Sequence, residues 1–142
     1  MSKELVHAQI DSVPWSAPRQ SIASSIAAYF NSYPLKSSED AVLRADLFAD
    51  DFSLEDPVGA EPITDKDALI QFFNFPFDLG ISIEMRSKQI IITGDEAISL
   101  TTSSIGVAGQ EPAILNIVHN FTFAEDGKIS GVRIFFDKDC VL

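Results

Sequence analysis

Apolar residues in the first half of the chain recur at the three- and four-residue steps of α-helices. This pattern predicts a helix from about Ala17 to Tyr33, with Ser16 as its N-cap and Pro34 beyond its end. It also predicts a helix from Ser38 to Phe48 and a third that starts at Thr64–Asp67. The apolar faces assigned to the three helices are Ile22, Ile26, Tyr29, Phe30 and Tyr33; Val42, Leu43, Leu47 and Phe48; and Ala68, Leu69, Phe72 and Phe73.

From Phe52 onward, two-residue alternation typical of β-strands joins the helical pattern. A short strand covers Phe52–Asp56, and Pro76 and Gly80 bound the segment that follows the third helix. Four further strands are predicted at 81–92, 96–104, 112–124 and 129–137. Short glycine-containing turns join these strands, which indicates antiparallel neighbours. The element order predicts an α+β fold, in which a strongly curved antiparallel sheet wraps around the N-terminal helices and encloses an apolar pocket.

The length and composition are those of one domain with a sizeable core, since 46% of the 142 residues are hydrophobic. We expect residues 1–16 to form a loosely structured lead-in or a short helix, and residues 17–142 to form a single domain. The net charge of −11 makes nucleic acids and anionic membranes poor partners. Without an apolar span or an export-signal pattern, the expected location is the cytoplasm.

Alternation places one carboxylate on an apolar face. Phe52, Leu54 and Asp56 point to the same side of the first strand, whereas Glu55 points to the other. Desolvation of Asp56 would raise the pKa of its carboxyl group, which suits a proton-transfer role. An aspartate before proline also commonly caps a turn, so both roles remain open on the pattern alone.

Two further polar side chains fall on apolar faces. His119 is the one polar residue among the inward positions of its strand, and Tyr29 lies on the buried face of the first helix. A buried neutral imidazole donates one hydrogen bond and accepts one, and a buried tyrosine needs a partner for its hydroxyl. Each residue could therefore serve a bound ligand or could simply be a satisfied member of the core.

The sequence lacks the motifs typical of metal sites, disulfides, phosphate binding and nucleophilic hydrolysis. The two histidines, His7 and His119, and the single Cys140 have no metal-ligand spacing, and one cysteine cannot form an internal disulfide. The chain has no phosphate-binding glycine motif and no nucleophile elbow. We therefore expect neither a metal nor a cofactor.

The segment Leu47–Pro62, with LFADD, EDPVG and EP at the family's spacing, resembles the ketosteroid isomerase family of the NTF2-like (SnoaL-like) group. Phe72 follows at the expected distance, and a weaker match resumes at Asn120–Ile129. The similarity covers roughly Tyr29 to Phe136, with a short insertion around Pro34–Ser37. The predicted order of helices and strands is the same as in that fold.

The resemblance implies roles for three residues. Asp56 stands at the place of the catalytic base, which takes a proton from a carbon next to a ketone and returns it further along the conjugated system. Tyr29 stands at the place of a tyrosine that donates a hydrogen bond to the dienolate oxygen. His119 stands where the family has a second donor, a carboxylic acid kept neutral so that it can donate.

The chain departs from this family at two positions. His119 would have to donate as a neutral imidazole, and Phe73 replaces a tyrosine that supports the donor network in some members. These changes bear more on steroid isomerisation than on the fold, since one lost oxyanion donor lowers a rate by ~10²–10³.

The predicted ligand is a small hydrophobic molecule with one carbonyl group, and the resemblance implies a steroid-like ketone. Its expected apolar contacts are Phe73, Phe121, Val132, Ile134 and Phe136. The leading hypothesis is an isomerase of the ketosteroid type. The alternatives are a SnoaL-like cyclase or lyase acting on another hydrophobic substrate, and a non-catalytic module for ligand binding or dimerisation. Members of this family pair through the sheet, so the resemblance also implies a homodimer.

Overall fold

A computed structural model describes residues 2–142; Met1, the first residue of the predicted lead-in, lies outside the described residues. The helices are α1 Lys3–Asp11, α2 Arg19–Asn31, α3 Ser38–Ala45 and α4 Lys66–Asp78. The strands are β1 Phe48–Glu55, β2 Ile81–Thr93, β3 Glu96–Val107, β4 Ala113–Phe123 and β5 Ile129–Phe135, followed by a 3-10 turn at Lys138–Cys140. None of the helices described is long and apolar enough to cross a membrane.

The five strands form one sheet in the order β1-β5-β4-β3-β2. Strands β2 to β5 are a meander of antiparallel neighbours, as the short turns predict. The expectation of a wholly antiparallel sheet is wrong at one edge, because β1 pairs with β5 in parallel. The polypeptide between these strands contains α4 and the rest of the sheet, which gives it the length that a parallel connection needs.

The inward faces of the strands follow the predicted alternation. The predicted inward positions that are buried are Phe52 and Leu54 on β1; Leu115, Ile117, His119, Phe121 and Phe123 on β4; and Val132 and Ile134 on β5. On the other side of β1, Glu55 accepts a hydrogen bond from Arg133 at 2.7 Å. The helices cover the apolar inner face of the sheet, and this contact forms the single core of the protein.

The start and end of α2 differ from the prediction. Pro18 occupies the N-cap position and the helix begins at Arg19. Ser16 does not cap α2, because its backbone N–H and hydroxyl donate to the carboxylate of Asp95, at 3.0 and 2.5 Å. The helix ends at Asn31, so Tyr33 lies in the following loop. In the lead-in, a short helix does form: this is α1, in which none of the residues is buried.

The predicted apolar face of α3 is wrong. Val42 and Leu43 are 43% and 64% exposed, whereas the buried positions are Ala41, Arg44 and Ala45. The helix also ends at Ala45, so Phe48 begins β1 instead of closing the helix. The two small alanines leave room beside them, and the long side chain of Arg44 fills that room.

The predicted break at Pro76 is also wrong, because α4 continues through this residue to Asp78. A proline inside a helix removes one backbone hydrogen bond and disturbs the preceding turn. Here Pro76 lies in the last turn, so few further bonds depend on it. The buried side chains of α4 are Leu69 and Phe73.

Gly131 provides a test of packing between the three strands on this side of the sheet. It lies beside Ser53 on β1 and Thr122 on β4, and an added Cβ atom would be 2.5 Å from the Thr122 Oγ1. We predict that Gly131→Ala lowers the free energy of unfolding by about 1–3 kcal/mol, because overpacking forces neighbouring atoms apart. Urea denaturation measures this change.

The matched control is the same substitution in a Thr122→Ala background, where the clashing oxygen is absent. There we expect most of the loss to disappear, since the two changes share one contact. Equal losses of stability in both backgrounds would show that the clash with the Thr122 Oγ1 is not the cause of the destabilisation.

Candidate functional site

Arg44 occupies the centre of the candidate site. Its side chain is 1% exposed and lies between aromatic rings from the neighbouring elements. The guanidinium carbon is 4.0 Å from the ring centroid of Tyr29, 3.8 Å from that of Tyr33 and 4.6 Å from that of Phe73. These distances permit cation–π attraction, which is strongest for desolvated cations.

The hydrogen bonds of Arg44 attach α3 to the end of α2. Its Nη1 donates to the backbone carbonyl of Tyr29 at 2.5 Å and to the hydroxyl of Ser32. Within residues 2–142, its Nε has no hydrogen-bond partner and no carboxylate forms an ion pair with it. Arg44 is therefore a buried cation whose positive field is not cancelled by a directly bonded anion.

Asp56 follows the last residue of β1 and is half-buried. Two sets of backbone bonds hold this segment: Leu54 pairs with Ile63, and Val58 donates to the carbonyl of Ile134 at 2.8 Å. Burial raises the pKa of the Asp56 carboxyl group, and the charge of Arg44 opposes this increase. Burial thus raises the pKa of the Asp56 carboxyl group, and the positive charge of Arg44 lowers it.

Tyr29 and His119 are neighbours in the interior. Their ring centroids are 5.6 Å apart in an edge-to-face arrangement, and the two side chains are 1% and 0% exposed. Burial lowers the pKa of His119 to about 3, with a further decrease from Arg44. Burial also raises the pKa of the Tyr29 hydroxyl, although Arg44 opposes the increase. Both groups are consequently neutral at physiological pH.

The imidazole of His119 has one partner and one free nitrogen. Its Nδ1 lies 3.3 Å from the hydroxyl of Thr101, whereas its Nε2 has no hydrogen-bond partner in the part of the chain described. The ring stacks on Phe121, with centroids 5.6 Å apart and planes inclined by 10°. The ring is thus fixed by stacking, and a ligand atom could complete the bonding of Nε2.

An apolar cavity of about 200 Å³ lies between the loop after α2, the end of α4 and the start of β2. No charged side chain lines it. The lining residues are Tyr33, Leu35, Phe73, Pro76, Phe77, Gly80, Ile81, Ser82 and Ile83. Tyr33 and Phe73 also contact Arg44, so these two rings separate the cavity from the buried cation.

The candidate residues are therefore distributed over two layers. Phe73 lines the cavity, whereas Tyr29 and His119 are fully buried and do not line it. Asp56 lies near the same cation, which influences the pKa values of all three groups. Of the three predicted catalytic residues, Tyr29 contacts Arg44 directly, Tyr29 and His119 contact each other, and neither of these two lines the cavity.

The other predicted ligand contacts have different surroundings. Phe121, Val132 and Ile134 are core side chains, 0%, 0% and 3% exposed. Phe136 is only partly buried and lines a separate groove of about 410 Å³, together with Pro57. This groove lies on the side of the Asp56–Pro57 bond, whereas the cavity lies on the side of Tyr33.

Sequence reasoning missed Arg44 altogether and assigned Tyr33 only to the core. Arginine is rarely buried, so the apolar Val42 and Leu43 were expected to face inward instead. The sequence feature that could have indicated the burial of Arg44 is its spacing from two alanines. Ala41 lies three residues before it and Ala45 directly after it. Two alanines on a short helix can mark a face that accommodates a larger side chain.

Residues 2–142 contain no group of three or more His, Cys, Asp or Glu side chains that could hold a metal ion. The polar groups considered for the site are the carboxyl group of Asp56, the neutral Tyr29 and His119, and the cation of Arg44.

Comparison with known proteins identifies relatives at the level of domain family and fold. The family model described as the SnoaL-like domain matches residues 26–132. A protein named Steroid Delta-isomerase, from Nocardioides simplex, is 29% identical over 92 residues, which cover 65% of this chain and 72% of that protein.

Two solved structures share the fold. An LEH-like epoxide hydrolase of M. tuberculosis has a TM-score of 0.70 at 15% identity, over 85% of this chain and 86% of that one. SalBIII, described as an epoxide hydrolase/cyclase-like enzyme with a role in pyran ring formation in the polyether salinomycin, has a TM-score of 0.69 at 22% identity. That match covers 86% of this chain and 95% of that one.

The raised pKa of Asp56 predicts a pH-dependent effect on stability. Because folding raises this pKa above the ordinary value of 3.8, the folded protein loses stability as pH rises from that value through the folded pKa. An asparagine side chain does not ionise, so its burial does not become less favourable as pH rises. We predict that Asp56→Asn is more stable than the parent chain at pH 7 and that this advantage disappears below pH 3.8.

Urea unfolding of both proteins across this pH range measures the difference. Asp51→Asn is the matched control, because Asp51 is an exposed aspartate on β1. A stability difference for Asp56→Asn that stays constant with pH would contradict the burial of this carboxyl group.

Proposed function

The chain belongs to the SnoaL-like domain family, and on this premise we propose that it is a cofactor-independent isomerase that moves a double bond in a hydrophobic ketone. The observation that carries the proposal is the arrangement around Arg44. A half-buried carboxyl group and two neutral hydrogen-bonding groups, from Tyr29 and His119, lie within the influence of one buried cation. This is a suitable environment for forming and stabilising an enolate.

Asp56 acts as the proton carrier. Its ionised carboxylate takes a proton from the carbon between the ketone and the double bond, and the electron pair of that C–H bond moves towards the carbonyl oxygen. The resulting dienolate takes the proton back from Asp56 at the far end of the conjugated system. A raised pKa suits this role, because a catalytic group works best when its pKa approaches the working pH.

Tyr29 and His119 stabilise the negative oxygen of the dienolate. The high pKa of the Tyr29 hydroxyl keeps its proton in place, and the low pKa of His119 keeps the imidazole neutral. The unpartnered Nε2 of His119 is the nitrogen available to this oxygen. The charge of Arg44 acts on the same oxygen across the ring of Tyr29, which it contacts at 4.0 Å.

The apolar side chains exclude water from this reaction. Phe73 contacts the substrate from the cavity, while Phe121, Val132 and Ile134 form the floor behind Tyr29 and His119. Phe136 closes the side near Pro57. At about 200 Å³ the cavity is smaller than the ~300–1,000 Å³ typical of ligand sites. Because Tyr29 and His119 do not line the cavity, Tyr33 and Phe73 must move apart before any ketone reaches them, and a compact cyclic ketone requires a smaller movement than a steroid.

One observation favours a second candidate function. Tyr29 and His119 are almost completely buried, as they would be in a module that binds a ligand or a second copy without catalysis. The exposed outer face of the sheet, where Ile98 and Leu100 are 44% and 41% exposed, would be the surface for a second copy. A cyclase or lyase reaction on another hydrophobic substrate would use the same Asp56 and His119 as base and acid.

A turnover assay tests the isomerase proposal. The substrates are a 5-ene-3-ketosteroid and a series of smaller cyclic β,γ-unsaturated ketones, and the readout is the ultraviolet absorbance of the conjugated product. We predict turnover of at least one ketone, and a loss of about 10²–10⁴ in kcat for Asp56→Asn, the range for a general base. Asp51→Asn, on the exposed side of β1, should leave kcat unchanged.

The outcomes separate the three functions. Binding of the ketones without turnover would favour the non-catalytic module, and an unchanged kcat in Asp56→Asn would exclude this residue as the base. No turnover of any ketone, together with hydrolysis of an epoxide in a parallel assay, would favour the epoxide hydrolase chemistry named for the structural relatives.

A further inference from the structure

The inner face of β3 carries a row of small polar side chains where a core strand would normally carry apolar ones. Ser99, Thr101 and Ser103 are 0%, 2% and 1% exposed. Burying a hydroxyl group is unfavourable unless it is hydrogen-bonded. The bonds made by these side chains therefore indicate what the row does.

Three hydroxyl groups form a continuous chain that ends at His119. The Oγ of Ser87 lies 2.7 Å from that of Ser99, which lies 2.9 Å from the Oγ1 of Thr101. Thr101 in turn lies 3.3 Å from the Nδ1 of His119. Ser87 is half-buried and the other three side chains are buried, so the chain runs from the edge of the protein to its interior.

Each hydroxyl group has one proton, so it can donate in only one of its bonds; if Thr101 donates to His119, Ser99 must donate to Thr101 and Ser87 must donate to Ser99. In this inward arrangement, Thr101 donates to Nδ1 and the imidazole proton is on Nε2. If instead Nδ1 donates to Thr101, Nε2 has only a lone pair. The direction of the bond between Thr101 and Nδ1 thus decides whether the free nitrogen of His119 is a donor or an acceptor.

We propose that the Ser87–Ser99–Thr101 chain is a positioning relay that donates to Nδ1 and so presents His119 to the ligand as an Nε2–H donor. The direction of the bonds rests on the proposed function, because a carbonyl or enolate oxygen has no proton and can only accept from Nε2. Of the four hydrogen-bonded side chains, only Ser87 is partly exposed to solvent. Water can donate a hydrogen bond to its hydroxyl oxygen, which completes the inward series of hydrogen bonds.

The relay also explains how a histidine can stand where the related isomerases have a protonated carboxylic acid. A carboxylic acid that keeps its proton is a donor by itself, whereas a neutral imidazole donates from only one of its two nitrogens. The inward chain makes Nε2 that nitrogen. Its three members are positioning residues, since Ser87, Ser99 and Thr101 act on the ligand only through His119.

Thr101→Val tests this relay, because valine preserves the shape of threonine and removes the hydroxyl. The measurement is the nitrogen-15 chemical shifts of the His119 ring, which distinguish a protonated nitrogen from an unprotonated one. We predict a protonated Nε2 and an unprotonated Nδ1 in the parent protein, and a mixture of both tautomers in Thr101→Val. Thr101→Ser keeps a hydroxyl group and should restore the parent spectrum.

Ser103→Ala is the matched control. Ser103 lies on the same inner face of β3 as Thr101, but its Oγ has no hydrogen-bond partner among residues 2–142. This variant should leave the His119 spectrum unchanged. If Thr101→Val aggregates, Ser99→Ala interrupts the same chain one step further out and should also mix the tautomers.

A parent spectrum with the proton on Nδ1, or the same tautomer in parent, Thr101→Val and Ser99→Ala, would overturn the relay. The spectra need no substrate, so they are independent of the isomerase proposal: an intact relay in a protein without turnover would contradict that proposal alone. With a turned-over ketone, Thr101→Val should lower kcat by up to about 10²–10³, the effect of one oxyanion donor, with little change in KM.

Discussion

The burial of Arg44 is the constraint on which the interior depends. A guanidinium group removed from water loses several kcal/mol of hydration, and a bonded carboxylate usually compensates for the loss. Here the compensation comes from the rings of Tyr29, Tyr33 and Phe73 and from the carbonyl of Tyr29. These partners come from α2, the loop after it and α4, so one side chain of α3 holds the three helical segments against each other.

Burial has the largest effect on the pKa values of Asp56, Tyr29 and His119, and the same cation modifies that effect at all three groups. It opposes the effect of burial on Asp56 and Tyr29, and it adds to the effect of burial on His119. Asp56 therefore keeps part of its tendency to ionise in an apolar environment, while His119 stays neutral. One positive charge thus favours an anion at Asp56 and disfavours a second cation on the imidazole of His119.

The strands could be predicted closely from the sequence because side chains alternate strictly across a sheet. Alternation alone placed His119 on the inner face, where it is buried, whereas Asp56 is half-buried just after the last residue of β1. The face of α3 could not be predicted in this way, because burial of Arg44 depends on rings that approach it from distant parts of the chain. The cavity wall could not be predicted from the sequence either. Tyr33 lies beyond the end of α2, so helical periodicity does not indicate which way its side chain points. The hydrogen bonds between Ser99, Thr101 and His119 depend on strand register, which the sequence pattern does not specify.

The proposed reaction requires one bound molecule that occupies the cavity and, at the same time, accepts hydrogen bonds from the buried Tyr29 and His119. A crystal structure with 2-naphthol, a flat phenol that imitates a dienolate, tests this requirement most directly. The account predicts that the phenol oxygen lies about 2.6–3.2 Å from both the Tyr29 hydroxyl and the His119 Nε2, with the rings against Tyr33 and Phe73. A naphthol bound in the cavity with its oxygen directed to solvent, and with Tyr29 and His119 still enclosed, would contradict it.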